Sequence, residues 1–271
     1  VKQKPPFPHL SDNRYLIDTH CHLDMESYLD DLDSIIESAT QHNVKKIITI
    51  GIDIPSSMHA IEIAQNYENI HATIGVHPHE VDELTEEHYE ELRNLYKNNT
   101  THVVGYGEIG LDYVKVHSEP TNQRFHFNKQ LELAEELQLP IVVHNREAET
   151  DTLKILESQQ GLFNGGIMHC FSGDYEFATR IIDLGMLISV PGIVTFKNAS
   201  ILHDVVKKIP LEHMVVETDG PFLSPHPYRG KRNEPVNVLF TAEKIAQIKN
   251  IEIEEVAYQT SLNATTLFNL P

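Results

Sequence analysis

Two imidazoles separated by a single residue close the apolar run Tyr15-Leu-Ile-Asp-Thr-His-Cys-His-Leu23. Alternate side chains of an extended chain share a face, so His20 and His22 can grip one cation together. A strand-end histidine is as often a hydrogen-bonded core or surface residue, and the pair alone decides nothing. The pattern recurs, however. Apolar runs also end in Gly107-Glu-Ile-Gly110, Ile141-Val-Val-His-Asn145, Ile167-Met-His-Cys-Phe171 and Val215-Val-Glu-Thr-Asp219, each finishing on a side chain able to bind a metal. The imidazoles of His20, His22, His144 and His169 and the carboxylates of Glu108 and Asp219 exceed what one catalytic metal needs, three protein ligands and an open position. They suit two divalent ions, with Glu108 bridging a site made by His20, His22 and Asp219 to another made by His144 and His169. Such ligands favour zinc, manganese, nickel or iron over calcium, with magnesium held more weakly. Paired cations lower the pKa of a shared water and grip both oxygens of a phosphoryl or acyl group as charge shifts, which is hydrolytic chemistry.

The neighbours of these residues carry further expectations. Asp219 can take a proton from the attacking water as well as coordinate, or it can serve only as a ligand or as a helix cap ahead of Gly220-Pro221. Asp18 and Glu217 share the parity of His22 and Asp219 and can orient ligand imidazoles, or they can be polar groups of the lower barrel. In Gly75-Val-His-Pro-His79, His77 can reach a substrate oxygen and His79 can cap the loop. Arg146 is placed to fork onto a phosphate, or to pair with Glu147 or Glu149. Arg229, Lys231 and Arg232 form the densest positive cluster, in a loop directly attached to Asp219, and can receive a polyanion. Cys21 and Cys170 each follow or precede a ligand histidine, and alternation turns both toward the helix layer as buried thiols.

Gathering groups from so many strands demands a particular scaffold. Strand-like runs recur near 15–20, 44–50, 70–76, 102–107, 140–144, 165–170, 186–190 and 213–218, with helical patterns such as 32–42, 86–97, 124–137, 152–158 and 177–184 between them. Eight βα units predict a single (β/α)8 TIM barrel of the α/β class, whose catalytic groups occupy the C-terminal ends of the strands. A doubly wound open sheet would spread the same groups along a line. Residues 1–14 read as an N-terminal extension or a cloning scar, and 15–271 as one domain whose tail ends in helices, with 265–270 outside the barrel.

The length of 271 residues suits one such barrel, and 40% hydrophobic with 23% charged residues is globular composition. No apolar run approaches a membrane span, and with only two cysteines the reducing cytoplasm is the expected compartment. A net charge of −19 argues against a protein that coats nucleic acid, though metals and a basic loop can reverse the potential inside a cleft.

Seven segments together resemble the TatD family of metal-dependent deoxyribonucleases, within the amidohydrolase-like barrels. They are Ile17-Asp-Thr-His-Cys-His-Leu-Asp24, Gly75-Val-His-Pro-His79, Gly107-Glu-Ile-Gly-Leu-Asp-Tyr113, Pro140-Ile-Val-Val-His-Asn-Arg146, Met168-His-Cys-Phe-Ser-Gly173, Glu217-Thr-Asp-Gly-Pro-Phe-Leu223 and Arg229-Gly-Lys-Arg-Asn-Glu-Pro235. The resemblance implies a barrel, a divalent metal pair on the six ligands named above, and hydrolysis of phosphodiester bonds in DNA. Single-stranded DNA or DNA ends would be the partner, attacked as by an exonuclease. Gly220 stands where such proteins often have Ala or Ser. Related proteins act on other esters, aminoacyl-tRNA among them. A hydrolase of small amides, lactones or esters would keep the same metals, but its fourth strand would more typically supply a modified lysine than Glu108. A non-catalytic metal-binding protein is the third possibility, and the cost of holding so complete a ligand set without use weighs against it.

Overall fold

The computed structural model describes residues 6–159 and 164–271. Eight strands pair in chain order, each parallel to the next. They are β1 (Leu16–Cys21), β2 (Val44–Ile50), β3 (Ile70–Ile74), β4 (Val103–Asp112), β5 (Ile141–Arg146), β6 (Gly166–Met168), β7 (Met186–Val190) and β8 (Met214–Val216). The ring closes between β8 and β1 through a parallel bridge of Cys21 to Gly220, backed by Asp219 N donating to His20 O at 2.9 Å and His22 N to Gly220 O at 2.7 Å. Helices α1 (Leu32–Gln41), α2 (Ile54–Asn66), α3 (Glu86–Asn98), α4 (Pro120–Glu136), α5 (Glu149–Ser158), α6 (Tyr175–Asp183) and α7 (Ser200–Lys208) fill the crossovers, and α8 (Val238–Lys249) and α9 (Ile253–Leu267) follow β8. The expected TIM barrel is the observed fold.

Local chemistry explains where the helices begin. Asp53 caps α2 by accepting from Ser56 N at 2.7 Å, with Pro55 in the first turn, and Asp174 caps α6 by accepting from Phe177 N at 2.9 Å. The main core lies between the strands and the surrounding helices. A second cluster of Ile17, Ile48, Ile50, Val142, Ile167 and Val215 lines the inside of the barrel, and Phe268 and Leu270 pack onto it. The tail therefore packs against the barrel interior instead of lying outside it, contrary to the sequence expectation. An apolar lumen needs a cover, and Phe268, 2% exposed, supplies one with its ring near Gly105.

Two irregularities aim the site residues. The pairing of β1 with β2 slips between Asp18 and Cys21. Ile17 and His20 both reach the interior across that slip, which strict alternation forbids for residues three apart. β4 continues to Asp112, five residues past the expected end, because Gly110 lets it lie against β5. At Gly110, with φ of 142°, a Cβ would run into the His144 carbonyl oxygen.

Candidate metal centre

At the C-terminal mouth of the barrel the carboxylate of Glu108 stands amid imidazoles. Its Oε2 lies 3.4 Å from His20 Nε2 and 3.9 Å from His22 Nε2. Its Oε1 lies 2.7 Å from His144 Nδ1, 3.5 Å from His77 Nε2 and 3.7 Å from His169 Nε2. Asp219 Oδ1 joins from beyond β8, 3.5 Å from His22 Nε2, 3.8 Å from His20 Nε2 and 4.0 Å from His169 Nε2. All six residues expected as ligands thus converge on one pocket, with Oε2 of Glu108 turned to two imidazoles and Oε1 to three.

Hydrogen bonds decide which nitrogen of each ring is free. His169 Nδ1 lies 3.0 Å from the Glu217 carboxylate and gives its proton there, and Nε2 is the nitrogen that faces Glu108 and Asp219. Glu217 also accepts from Cys170 N at 2.9 Å, which fixes the turn after β6. His144 is held the opposite way. Its Nε2 meets Asp112 Oδ2 at 3.3 Å, and its Nδ1 faces Glu108. This donor set, with imidazole lone pairs aimed inward and their far nitrogens tied to carboxylates, fits a divalent cation. His20 and His22 bring their Nε2 atoms within 3.3 Å of each other, while their Nδ1 atoms are buried without a hydrogen-bond partner.

Charge in the pocket follows from burial and proximity. Burial alone would raise the Glu108 carboxyl, but His169 and His77, with hydrogen bonds from His144 and His20, hold it well below the usual carboxylate range. Asp219 is likewise lowered, burial opposing and His22, His169 and His20 prevailing. Burial works to lower His169, yet Glu217 and Glu108 push it up to about 10. His77 goes down to about 3, chiefly by burial, so its ring is neutral near pH 7. His79 N donates to His77 Nδ1 at 3.2 Å, which leaves the His77 proton on Nε2, facing the pocket.

The remaining expected residues distribute differently. Asp18 is fully buried and accepts from Thr218 N at 2.8 Å and from Thr218 Oγ1, tying β1 to the end of β8; no hydrogen bond reaches a ligand ring from it. Burial raises its carboxyl to about 8. Arg146, Arg229 and Lys231 are exposed, with Arg229 lying over the Phe196 ring at 4.6 Å. Arg232 is engaged by protein groups instead of standing open: Asp31 accepts from both terminal nitrogens, at 2.8 and 2.6 Å, and Ser27 O and Glu234 accept as well. Glu234 is two residues away, but Ser27 and Asp31 lie 205 and 201 residues off, so the residue pattern gave no warning of them.

Sequence reasoning missed Asp112. Besides His144 it binds His79 Nε2 at 2.9 Å and accepts from Val114 N and Lys115 N, which fix the loop after β4. Its parity with Glu108, four residues on in the same motif, was the available signal. Cys170 also corrects an expectation. β6 stops at Met168, and Cys170 adopts φ of 45°, so alternation no longer applies. Its Sγ lies within 4.8 Å of ligand atoms of His169 and Asp219, on the site side. Cys21 does face away, buried beside the Tyr28 hydroxyl at 3.9 Å.

A parallel barrel carrying buried imidazoles and carboxylates at its C-terminal mouth is the architecture of a metal-dependent hydrolase. The TatD related DNase family pattern matches residues 17–269, and the chain belongs to the TatD family. It is 43% identical over 255 residues to the uncharacterized metal-dependent hydrolase YabD of Bacillus subtilis, covering 94% of this chain and 99% of that one. It is 37% identical over 259 residues to the uncharacterized metal-dependent hydrolase YcfH of Escherichia coli K12, covering 94% and 96%. Among solved structures, the TatD homologue YJJV of Escherichia coli K12 superposes with a TM-score of 0.90 at 30% identity, covering 94% of this chain and 98% of that one. No helix among the described residues is long and apolar enough to cross a membrane.

Proposed function

We propose that this metal-dependent hydrolase is a deoxyribonuclease that uses two divalent ions to cleave phosphodiester bonds, at single strands or DNA ends. The observation that carries the proposal is the division of Glu108, with Oε2 toward His20 and His22 and Oε1 toward His144 and His169, alongside His77. Glu108 would be shared by both ions, with His20, His22 and Asp219 holding one and His144 and His169 the other. When bound, the ions, zinc, manganese, nickel or magnesium, would supply Lewis acidity and an activated water.

The chain's own groups then have defined tasks. Asp219, lowered below the usual carboxylate range and therefore ionised, accepts the proton of the attacking water at its carboxylate oxygen. The neutral His77 donates Nε2–H to a non-bridging phosphoryl oxygen. Glu217 and Asp112 keep His169 and His144 from rotating. Arg146 on the rim and Arg229 and Lys231 on the loop after β8 contact flanking phosphates, local positive charge in a chain whose net charge is −19. Arg232, through Asp31 and Glu234, holds that loop in place.

The family pattern's description as DNase-related supports the phosphodiester over a carboxyl ester, the main competitor. Turnover of single-stranded DNA and of an aminoacyl ester is compared on one preparation loaded in turn with zinc, manganese, nickel and magnesium. The expected outcome is metal-dependent release of nucleotides with kcat/KM for DNA far above that for the ester. Ester turnover without DNA turnover, under every metal, would overturn the assignment.

A further inference from the structure

The loop after β8 places a large aromatic ring in solvent beside the ligands. Phe222 is 48% exposed, and its ring stands edge-on to that of His22, with centroids 6.0 Å apart and planes at 68°. A single exposed aromatic needs no explanation by itself. This one is held with unusual care. Phe222 N donates to Asp219 O at 2.8 Å, and Phe222 O accepts from Asn233 Nδ2 at 2.7 Å. The fully buried Asn233 also donates through Nδ2 to Thr218 O at 2.8 Å and through its backbone N to Pro221 O at 3.0 Å. A side chain with no polar atom has thus been fixed at the mouth of the metal centre by a buried amide that touches the residues on both sides of Asp219. Burying the ring against the barrel would have been the favourable default for a phenyl group.

Resting on the deoxyribonuclease function proposed above, we infer that Phe222 is a stacking platform for the nucleobase next to the scissile phosphodiester. Every base offers a π-face, so such a platform is tolerant of sequence, and it places the phosphate by gripping the neighbouring base instead of the charge. Nucleic-acid affinity is thereby divided in this acidic protein. Phosphates meet Arg146, Arg229 and Lys231, and the base meets an uncharged ring that salt does not screen. Phe222 is accordingly a specificity-determining residue of the substrate site, acting by contact with the base and not by touching the reacting atoms.

The test uses the metal-loaded, full-length protein and single-stranded oligonucleotides carrying either a normal nucleotide or an abasic sugar on the 5′ or the 3′ side of the scissile bond. For wild type, removing the base on the contacted side should lower kcat/KM about tenfold, in line with the usual worth of one base–aromatic stack. Phe222→Ala should cost about the same on normal DNA and nothing further on the abasic substrate, and Phe222→Tyr should restore the wild-type rate while Phe222→Leu should not. Equal losses by Phe222→Ala on both substrates, or no loss on either, would overturn the platform.

A second readout is independent of hydrolysis. The chain contains no Trp, so Phe222→Trp introduces its only tryptophan, which can be excited beyond the absorption of tyrosine. Its emission should be quenched on titration with the normal oligonucleotide and left unchanged by the oligonucleotide abasic on the contacted side. Quenching without any cleavage by wild type would keep the platform and remove the nuclease assignment. Cleavage without base-dependent quenching would do the reverse.

Discussion

Replacing Glu108 by Gln tests the proposed two-ion centre at the carboxylate the two sites would share. The amide has nearly the same shape but carries no charge, and it presents one oxygen where the carboxylate presents two. In the structure those two oxygens face different partners: Oε2 is 3.4 Å from His20 Nε2, and Oε1 is 2.7 Å from His144 Nδ1. A residue that merely orients a metal ligand is typically worth about 10- to 100-fold in affinity, or ~1.4–2.7 kcal/mol. Glu108, as a direct ligand to both ions, should exceed that at each. Titration calorimetry with zinc should therefore resolve two binding events in wild type, both weakened more than about 100-fold in Glu108→Gln. Glu217→Gln is the internal comparison. Its amide oxygen can still accept from Cys170 N, but the carboxylate partner of His169 Nδ1 at 3.0 Å is lost, so one event should weaken by about 10- to 100-fold and the other should persist. Elemental analysis after dialysis gives the stoichiometry directly. Two ions retained by Glu108→Gln at wild-type affinity, or loss of one ion alone, would refute the bridging role.

Other outcomes follow from the same geometry. Asp219→Asn should leave the barrel folded by circular dichroism and lower kcat by about 10²- to 10⁴-fold, since the amide cannot accept a proton; a near-normal kcat at saturating metal would remove the base role. Phe268→Ala should cost about 3–5 kcal/mol in denaturant unfolding by emptying the space beneath the barrel lumen, with kcat of the folded enzyme unchanged. In the metal-free protein His169 is raised to about 10 by Glu217 and Glu108 against burial, from roughly 6.5 when unfolded. The native state then holds the proton longer, so this contribution to stability is complete below about pH 6.5 and lost as the pH rises toward 10. Unfolding in a chelator at pH 7 and pH 9.5 should show that decline, and Glu217→Gln should flatten it.

The sequence by itself determined the barrel and the chemistry. β-branched runs alternating with amphipathic stretches are local, periodic signals, and His20, His22, His144, His169 and Asp219 sit near the C-terminal ends of strands, with Glu108 inside β4, so the barrel topology brings them together. The tertiary structure decided what local periodicity does not encode. The slip in β1 lets Ile17 face the lumen while His20 faces Glu108. The turn at Cys170 breaks alternation, and its Sγ comes round to the site side. Asp112 became an anchor for His144 and His79 only because Gly110 lets β4 run on beside β5. Arg232, one of three cations in a basic loop by sequence, is claimed by Asp31, 201 residues away. Phe268 and Leu270 read as a tail and serve as part of the packed lumen. In each case a hydrogen bond, an ion pair or a packed side chain links positions far apart in the chain. Residue type states what a group is able to do, and the long-range partner decides which of those things it does.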